Sequence, residues 1–397
     1  MNCEWKESKL GEIVSLTIDH RGLTPKKLGG DWSSHGYRAL SAKNVKTGKI
    51  VQSESIRFVS EEMYHKWMPE EIEYGDILIT SEAPFGEVYQ WNSNEKIVLS
   101  QRLFGVRISD SFCADYIYYY MTTGGFQAEM HSRATGTTVI GLRQPELLKC
   151  IVRYPGLNEQ KIIAGFLRKI DDKINLNIEI NDNLLQQAQA IFTQEFLNVE
   201  GIPDGWKESS LLGIADYLNG LAMQKFRPKD DEQGLPVLKI KELRQGACDA
   251  SSELCSPSIK PEYIVRDGDV IFSWSGSLLV DFWCGGTCGL NQHLFKVTSD
   301  TYDKWFYYAW TNHHLQKFVA IAADMATTMG HIKREELSKA VVLIPSQSDY
   351  DRIGGLLAPL YDLVIANRIE NRKLAALRDE LLPQLMSGQL DVSEVDL

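Results

Sequence analysis

The sequence predicts a mixed α/β (α+β) protein built as a tandem repeat, in which two globules are each followed by a long helix. Three observations predict this plan. The length of 397 residues suits two or three domains. Short motifs recur in the same order roughly 190 to 200 residues apart. Two segments of about 40 residues carry apolar side chains at helical spacing. A hydrophobic content of 44% is enough to build real cores.

The repeat is visible in several pairs of motifs. The clearest pairs, first copy before second, are Trp5–Ser8 and Trp206–Ser209, Gly75–Ile79 and Gly268–Phe272, and Leu99–Phe104 and Leu290–Phe295. The offset falls from 201 to 190 in small steps along the chain, as short deletions in loops would produce. The order is kept throughout, so we interpret the pattern as a duplication.

The first part of each copy, residues 1–155 and 201–345, contains short apolar runs that follow turn signals, which is typical of strands. Asp115–Met121 and Tyr302–Trp310 are predicted to form short helices. Each of these parts is therefore predicted to be a mixed α/β globule.

The second part of each copy, residues 156–200 and 346–397, is predicted to be one long helix of about 40 residues, or about 60 Å. The apolar stripes are Ile163, Phe166, Ile170, Ile174, Ile178, Leu185, Ala188, Phe192 and Phe196, and in the second copy Ile353, Leu356, Leu360, Val364, Leu374, Leu381 and Leu385. Because each helix is apolar along one side only, it needs a partner, and the other copy is the obvious one. We expect an antiparallel coiled coil that relates the globules by a pseudo-twofold axis.

Asn181 and Asn371 fall at equivalent positions in these stripes. A polar residue at such a position can fix the register of a coiled coil at some cost in stability. The alternative is that both side chains are simply exposed.

The motifs of nucleotide-binding and base-modifying enzymes are missing from the sequence. Neither GxxxxGK[ST] nor GxGxxG occurs, and no two prolines are adjacent, as the Pro-Pro motif of amino-methyltransferases requires. Asp76 and Asp269 recur in the repeat, but both lie in Gly-Asp turns before apolar runs, which favours a turn-forming role over nuclease chemistry. We therefore predict no catalytic residue in this chain.

A metal site is also not predicted. Cys284, Cys288 and His293 offer soft ligands, but the first copy has no cysteines at the matching place, so buried thiols are the favoured interpretation. The seven cysteines are irregularly spaced, which favours reduced thiols. No apolar run is long enough for a membrane span, and the first ten residues carry charges, so we expect no membrane association and a cytoplasmic location.

With this organisation, the chain resembles the specificity subunit (HsdS) of type I restriction–modification enzymes. The resemblance rests on the duplicated plan, on the leucine-rich segment Leu374–Leu390, on Ile202–Trp206 after the first long helix, and on the two Gly-Asp strand starts. It implies a subunit without catalysis that reads a bipartite, asymmetric target in double-stranded DNA. Residues 1–155 and 201–345 would be the target recognition domains.

The resemblance also implies partners. Two methyltransferase (M) subunits would bind along the helices, which act as spacers, and restriction (R) subunits would add translocation and cleavage. No cofactor is expected on this chain, because S-adenosylmethionine, ATP and Mg²⁺ would be held by the partners. Adenine as the modified base follows from the resemblance alone. The alternatives are the recognition part of a fused or stand-alone restriction enzyme, and a coiled-coil scaffold without base readout.

Candidate DNA-binding residues are polar, loop-like positions, because phosphates are bound by cations and small polar groups and bases by Arg, Asn or Gln. Lys43 and Lys241 are predicted to contact phosphate. Positions matched in the repeat are Gln101, Arg102, Thr137, Thr138 and Arg143, with Gln292, His293, Thr327, Thr328 and Lys333. Positions that differ between the copies, and so suit base reading, are Lys26, Arg38, Arg133 and Arg227. Gln101 and Gln292 could instead be buried and bonded to the backbone.

The net charge of −11 lacks the basic footprint usual for DNA-binding proteins. The helical segments carry −3 (156–200) and −4 (346–397), whereas residues 1–155 are nearly balanced, with 18 basic and 19 acidic groups. A balanced total can still present a basic face. We expect this chain alone to bind DNA weakly, with methyltransferase subunits supplying much of the phosphate contact.

Overall fold

The computed structural model describes residues 5–136, 139–324 and 331–390. The chain divides into two compact units. Unit 1 comprises the residues up to Asp172 together with those from Ala376 onward, and unit 2 comprises Lys173–Ala375. Both divisions fall inside long helices, so each unit contains a part of each helix.

Unit 1 combines short strands with short helices. Its strands are β1 (Lys6–Lys9), β2 (Val14–Ile18), β3 (Tyr37–Leu40), β4 (Val45–Lys46), β5 (Lys49–Ile50), β6 (Arg57–Val59), β7 (Ile77–Thr80), β8 (Val88–Gln90), β9 (Ile97–Leu99), β10 (Leu103–Ile108) and β11 (Ile151–Tyr154). Its helices are α1 (Leu10–Ile13), α2 (Glu61–Trp67), α3 (Ala114–Thr122), α4 (Gly124–Arg133), α5 (Gln144–Leu147) and the first part of α6 (Leu157–Phe192). The main sheet has the order β2-β10-β7-β8, and a second sheet has the order β6-β3-β9.

Unit 2 repeats this plan. Its strands are β12 (Lys207–Ser210), β13 (Asp216–Asn219), β14 (Leu235–Leu238), β15 (Leu254–Cys255), β16 (Ile264–Val265), β17 (Val270–Ser273), β18 (Leu279–Phe282), β19 (Cys288–Leu290), β20 (Leu294–Thr298) and β21 (Val341–Ile344). Its helices, besides the rest of α6, are α7 (Leu211–Ile214), α8 (Ile240–Gln245), α9 (Lys304–Asp324), α10 (Arg334–Lys339) and most of α11 (Gln347–Ser387).

The main sheets of the two units correspond strand for strand, whereas the second sheet has three strands in unit 1 and four in unit 2. The order β13-β20-β17-β18 in unit 2 matches the main sheet of unit 1. In both units one strand pair of the second sheet is parallel, β3 with β9 and β14 with β19. The predicted fold class, two tandem mixed α/β globules with two long helices, is confirmed.

The long helices contribute to the core of each unit. In unit 1, Ile163 and Leu167 of α6 and Leu385 of α11 are buried in the cluster that also holds the main sheet and α3. In unit 2, Phe192 and Ile353 are buried in the corresponding cluster. Apolar burial of this kind is the main stabilising term for helices of such length.

Within unit 2, α6 and α11 run antiparallel. Lys173 pairs with Glu370 (3.3 Å between Nζ and Oε2), and at the other end of the helix pair Glu195 pairs with Arg352 (2.8 Å). The last turn of the α6 segment, Thr193–Leu197, is π-helical. The lengths, 36 residues for α6 and 41 for α11, agree with the prediction of two helices of about 40 residues.

An asparagine cluster lies between α6 and α11 in unit 2 and consists of Asn177, Asn181, Asn367 and Asn371. The Asn367 amide donates to Asn181 Oδ1 at 2.9 Å, and the Asn177 amide donates to Asn371 Oδ1 at 2.8 Å. The amides of Asn181 and Asn371 donate to backbone carbonyls of the opposite helix, at 3.5 and 3.2 Å. Asn177 and Asn181 correspond to Asn367 and Asn371 at the repeat offset of 190, so the two side-chain bonds are equivalent to each other, and so are the two bonds to backbone carbonyls.

The asparagine cluster decides between the two interpretations of the polar stripe positions. Asn181 is buried and Asn371 is half-buried, so the alternative that both side chains are exposed is wrong. A role in fixing the register stays a prediction.

The structure corrects the phase of the apolar stripes in two places. Ile178 is 49% exposed while its neighbour Asn177 is fully buried, and Leu356 is 46% exposed while Leu357 is fully buried. A helical stripe with steps of three and four residues can run through either of two adjacent positions. Because the stripe was drawn through apolar residues only, it included Ile178 and left out the buried Asn177.

A second difference concerns the short helix predicted for Tyr302–Trp310. It forms the beginning of α9, which continues to Asp324 for 21 residues. The residues after Trp310 include neither Gly nor Pro before that point, so nothing in the backbone ends the helix earlier.

Candidate nucleic-acid interface

Two adjoining cavities of about 250 and 570 Å³ form a groove on unit 1, and they share Thr24, Gln101 and Arg102. We define this groove by its charged lining residues, which are Arg21, Lys27, Lys43, Arg57, Arg102 and Arg143 together with Glu82. The lining thus contains six cations and one carboxylate, and Asp19 adds a second acidic partner at Arg21. The groove is a local concentration of positive charge on a protein whose total charge is negative.

Lys27 and Lys43 of the groove lie in short 3₁₀ segments that side-chain hydrogen bonds stabilise. The Thr24 hydroxyl caps the short 3₁₀ helix Pro25–Leu28 by accepting from the Lys27 backbone N–H at 3.3 Å. Lys43 lies in a second 3₁₀ turn, where the buried Asn44 side chain accepts from the Ser41 backbone N–H at 3.1 Å. Both lysine side chains are exposed.

Aromatic rings and carboxylates position the guanidinium groups. Arg57 lies 4.7 Å from the centre of the Trp32 ring, and Arg21 lies 3.9 Å from the centre of the Phe104 ring. Such cation–π contacts orient a guanidinium without neutralising it. Two of the arginines also have a carboxylate partner: Arg21 Nε is paired with Asp19 Oδ1 at 2.7 Å, and Arg102 Nε with Glu82 Oε1 at 2.9 Å.

The structure brings four of the predicted residues of unit 1 together in the groove. These are Lys43, Gln101, Arg102 and Arg143. Lys26 is exposed in the same 3₁₀ helix as Lys27 without lining either cavity. Gln101 is exposed, so the alternative of a buried, backbone-bonded Gln101 is wrong.

Two other predicted residues of unit 1 lie outside the groove in ion pairs. Arg38 is bonded to Glu95 at 2.6 Å, and Arg133 is paired with Glu129 at 2.9 Å. The hydrogen bond to Glu129 raises the pKa of Arg133. Thr137 and Thr138 lie outside the described residues.

In unit 2, Gln292 and His293 occupy the turn before β20, the place that Gln101 and Arg102 take before β10. Both are half-buried, so Gln292 is not fully buried as the alternative would require. His293 Nδ1 lies 3.1 Å from Ser275 Oγ. Lys333 is exposed at the start of α10. Thr327 and Thr328 lie outside the described residues.

The remaining predicted cations of unit 2 are occupied by acidic partners. Lys241 Nζ lies 3.3 Å from Asp249 Oδ2, and Arg227 is paired with Glu253 at 3.1 Å. Hydrogen bonds from Ser251 and then Gln245, together with Lys241, hold the pKa of Asp249 well below its usual range. Lys241 is therefore less available to a phosphate than its counterpart Lys43.

Sequence reasoning missed Arg21, Lys27, Arg57 and the supporting Trp32. The loop between β2 and β3 contains Arg21 and the Lys26-Lys27 doublet, and this local run of cations was the available signal. Arg57 carried no such signal, because only the fold brings it beside Trp32.

The residues weighed for other chemistry have structural roles. The Asp76 carboxylate accepts from the Glu73 backbone N–H at 2.8 Å, and Asp269 does the same for Arg266, so the turn-forming interpretation is confirmed. Burial raises the pKa of the Cys284 thiol to about 11. Among the described residues, no group of three or more His, Cys, Asp and Glu side chains is placed to hold a metal ion.

Both halves of the chain match one protein family. The family model of the type I restriction modification DNA specificity domain matches residues 2–186 and, a second time, residues 203–377. The chain belongs to this family. The predicted resemblance is confirmed, and each of the two units carries most of one family domain.

Specificity subunits are also the similar proteins found by sequence and by structure. The specificity subunit of type I restriction enzyme MjaIX from Methanocaldococcus jannaschii is 24% identical over 395 residues, which cover 94% of this chain and 87% of that subunit. The EcoBI specificity subunit from Escherichia coli is 25% identical over 203 residues, or 50% of this chain and 40% of that subunit. The crystal structure of the S subunit of a type I restriction–modification system from M. genitalium matches with a TM-score of 0.59 at 14% identity, covering 97% of this chain and 96% of that one, and shows the shared fold.

Family membership confirms two further predictions about this specificity subunit. It serves DNA recognition in a type I restriction–modification system, and it is not itself the catalyst. No helix among the described residues is both long enough and apolar enough to cross a membrane.

Proposed function

We propose that the groove of unit 1 binds the phosphate backbone of double-stranded DNA at one half of a bipartite, asymmetric target. The observation that carries this proposal is the lining of six cations and one carboxylate in a chain of net charge −11. Phosphate contacts supply most of the affinity of DNA-binding proteins and fix their register on the duplex. Exposed lysines such as Lys27 and Lys43 suit this role.

The second half of the target is read by unit 2. The main sheets of the two units have the same strand order but different side chains at corresponding positions, such as Arg102 and His293. Half-site identity follows the side chains, whereas half-site separation follows the geometry of the protein, as in dimeric DNA readers. An asymmetric target with a fixed spacer is therefore what this repeat supports.

Two methyltransferase subunits and restriction subunits are the proposed partners. The acidic long-helix segments, with charges of −3 and −4, suit protein partners better than DNA. S-adenosylmethionine, ATP and Mg²⁺ belong to those partners in this proposal, and the cytoplasmic location stays a prediction.

The proposal is tested with a matched pair of variants in the complex with methyltransferase subunits. Lys43→Gln removes a free cation from the groove, and Lys241→Gln removes its counterpart that is already paired with Asp249. Binding to a duplex pool of random sequence is measured by fluorescence anisotropy between 50 and 200 mM salt. Each lost phosphate contact makes the slope of log K against log salt less negative by about 0.9.

For Lys43→Gln we expect this change of slope, which means about 3.5-fold less affinity lost over the fourfold rise in salt. For Lys241→Gln we expect a smaller change. An unchanged slope for Lys43→Gln would contradict the proposed phosphate contact. Methylation or cleavage by the chain alone would favour a fused or stand-alone enzyme, and binding of the complex without sequence preference would favour a scaffold.

A further inference from the structure

Two strand pairs with the same register identify corresponding positions just beyond the paired strands in the two units. Leu103 of β10 lies opposite Thr80 of β7, and Leu294 of β20 lies opposite Ser273 of β17. The residue before each leucine and the residue two positions after each partner therefore correspond between the units. These positions hold different side chains in the two copies.

In unit 1 the two positions are occupied by Arg102 and Glu82, which line the 570 Å³ cavity. Arg102 Nε lies 2.9 Å from Glu82 Oε1, with side-chain exposures of 49% and 34%, so both groups remain open to a ligand. Arg102 has a φ of +65°, a left-handed conformation that is unfavourable for a side chain of this kind. Backbone conformations of this type concentrate at functional sites.

In unit 2 the same positions are occupied by His293 and Ser275, whose Nδ1 and Oγ lie 3.1 Å apart. Trp274 lies beside them, with its ring centre 6.0 Å from that of His293. The preceding glutamine is shared by the two copies, as Gln101 and Gln292. A guanidinium–carboxylate pair in one unit is thus replaced by an imidazole–hydroxyl pair in the other.

We propose that this pair of positions determines one base pair in each half-site, and that the Glu82–Arg102 pair specifies a G·C base pair. This inference rests on the proposed function of the groove. An arginine can donate to both O6 and N7 of guanine, and a glutamate accepts from the N4 amine of cytosine, so the two side chains complement the two bases of one pair. In unit 2 Ser275 is only 4% exposed, so His293 is the side chain of the pair that can meet a base edge, and it lacks the two-pronged donor of an arginine.

The test exchanges the pair between units in the complex with methyltransferase subunits. The variant Glu82→Ser/Arg102→His gives unit 1 the pair of unit 2, and His293→Arg gives unit 2 the guanidinium of unit 1 without placing a carboxylate at the buried Ser275. Bound sequences are selected from a random duplex library, and methylated positions are mapped by sequencing. The matched control is Glu62→Ser/Lys66→His, which alters an exposed ion pair on α2.

For the unit 1 exchange we expect guanine preference to fall by about 5- to 150-fold at one position of one half-site, since a bidentate pair discriminates by about 1–3 kcal/mol. The other half-site and the spacer stay unchanged. For the unit 2 exchange we expect a new guanine preference in the other half-site. The control variant leaves the motif as it is.

Two results would overturn the inference while leaving the proposed function intact. The first is that the unit 1 exchange variant still binds DNA and selects the same sequence motif. The second is that this variant, with a normal circular dichroism melt, loses affinity equally for all sequences. If the double exchange fails to fold, Arg102→Lys serves instead. It keeps the charge but loses the paired N–H donors of the guanidinium, so it should also weaken the guanine preference. A wild-type complex that binds random DNA without any motif would overturn the proposed function as well.

Discussion

Breaking the asparagine cluster one side at a time should destabilise unit 2, whereas replacing a bonded pair together should not. Asn181 and Asn367 are buried and bonded to each other at 2.9 Å. Asn181→Leu alone leaves the Asn367 amide buried without its acceptor, which costs about 1–3 kcal/mol. The double variant Asn181→Leu/Asn367→Leu removes both polar groups and should be nearly neutral or stabilising.

Differential scanning calorimetry of the full chain measures this difference. A loss of about 2 kcal/mol corresponds to a melting temperature lower by roughly 4–8 °C for a unit of this size. We expect each single variant to show such a fall and the double variant to be nearly neutral, so the coupling energy approaches about 4 kcal/mol in magnitude. Asn183→Leu is the matched control, because Asn183 lies on the exposed side of α6. Additive losses in the double variant would refute the reasoning.

Two further predictions concern unit 2. Phe192→Ala should lower the free energy of unfolding by about 3–5 kcal/mol because the ring is buried. Ile178→Ala, at an exposed position of the predicted stripe, should change it by less than about 0.5 kcal/mol. Equal effects of the two variants in denaturant melts would contradict the observed phase of α6. The hydrogen bond from Arg372 lowers the pKa of Asp267, so this carboxylate stabilises the fold above its unfolded-state pKa of about 3.9 and loses that effect as the pH falls through the folded value. Asp267→Asn should therefore lower the melting temperature at pH 7 and much less at pH 3, and the same difference at both pH values would speak against the ion pair.

The sequence was informative about long-range organisation and much less so about the groove. The duplication and the two helices could be predicted because they rest on order and periodicity along the chain. The phase of the helical stripe could not, because Asn177 is polar yet buried, and its partner Asn371 comes from the other copy. A search for apolar residues at helical spacing does not detect buried polar residues that hydrogen-bond to each other.

The groove was predicted only in part for a related reason. Lys43, Gln101 and Arg102 stood out because the repeat marks them. The fold brings the rings of Phe104 and Trp32 beneath Arg21 and Arg57, and Arg21 is paired with Asp19 as well. Closeness between residues so far apart along the chain has no signature in spacing or composition.

The contrast between a cationic groove and an acidic chain has a consequence for how fast DNA is captured. At about 0.01 M ionic strength the Debye length is about 30 Å, so an approaching duplex is repelled by the whole charge of −11 before it reaches the groove. Near 0.15 M the Debye length is about 8 Å, and the groove's six cations act on a phosphate at close range while the distant acidic groups are screened. The capture rate should therefore pass through a maximum at intermediate salt, unlike that of a uniformly basic protein, which falls steadily. Such a protein spends little time on DNA that does not seat in its groove.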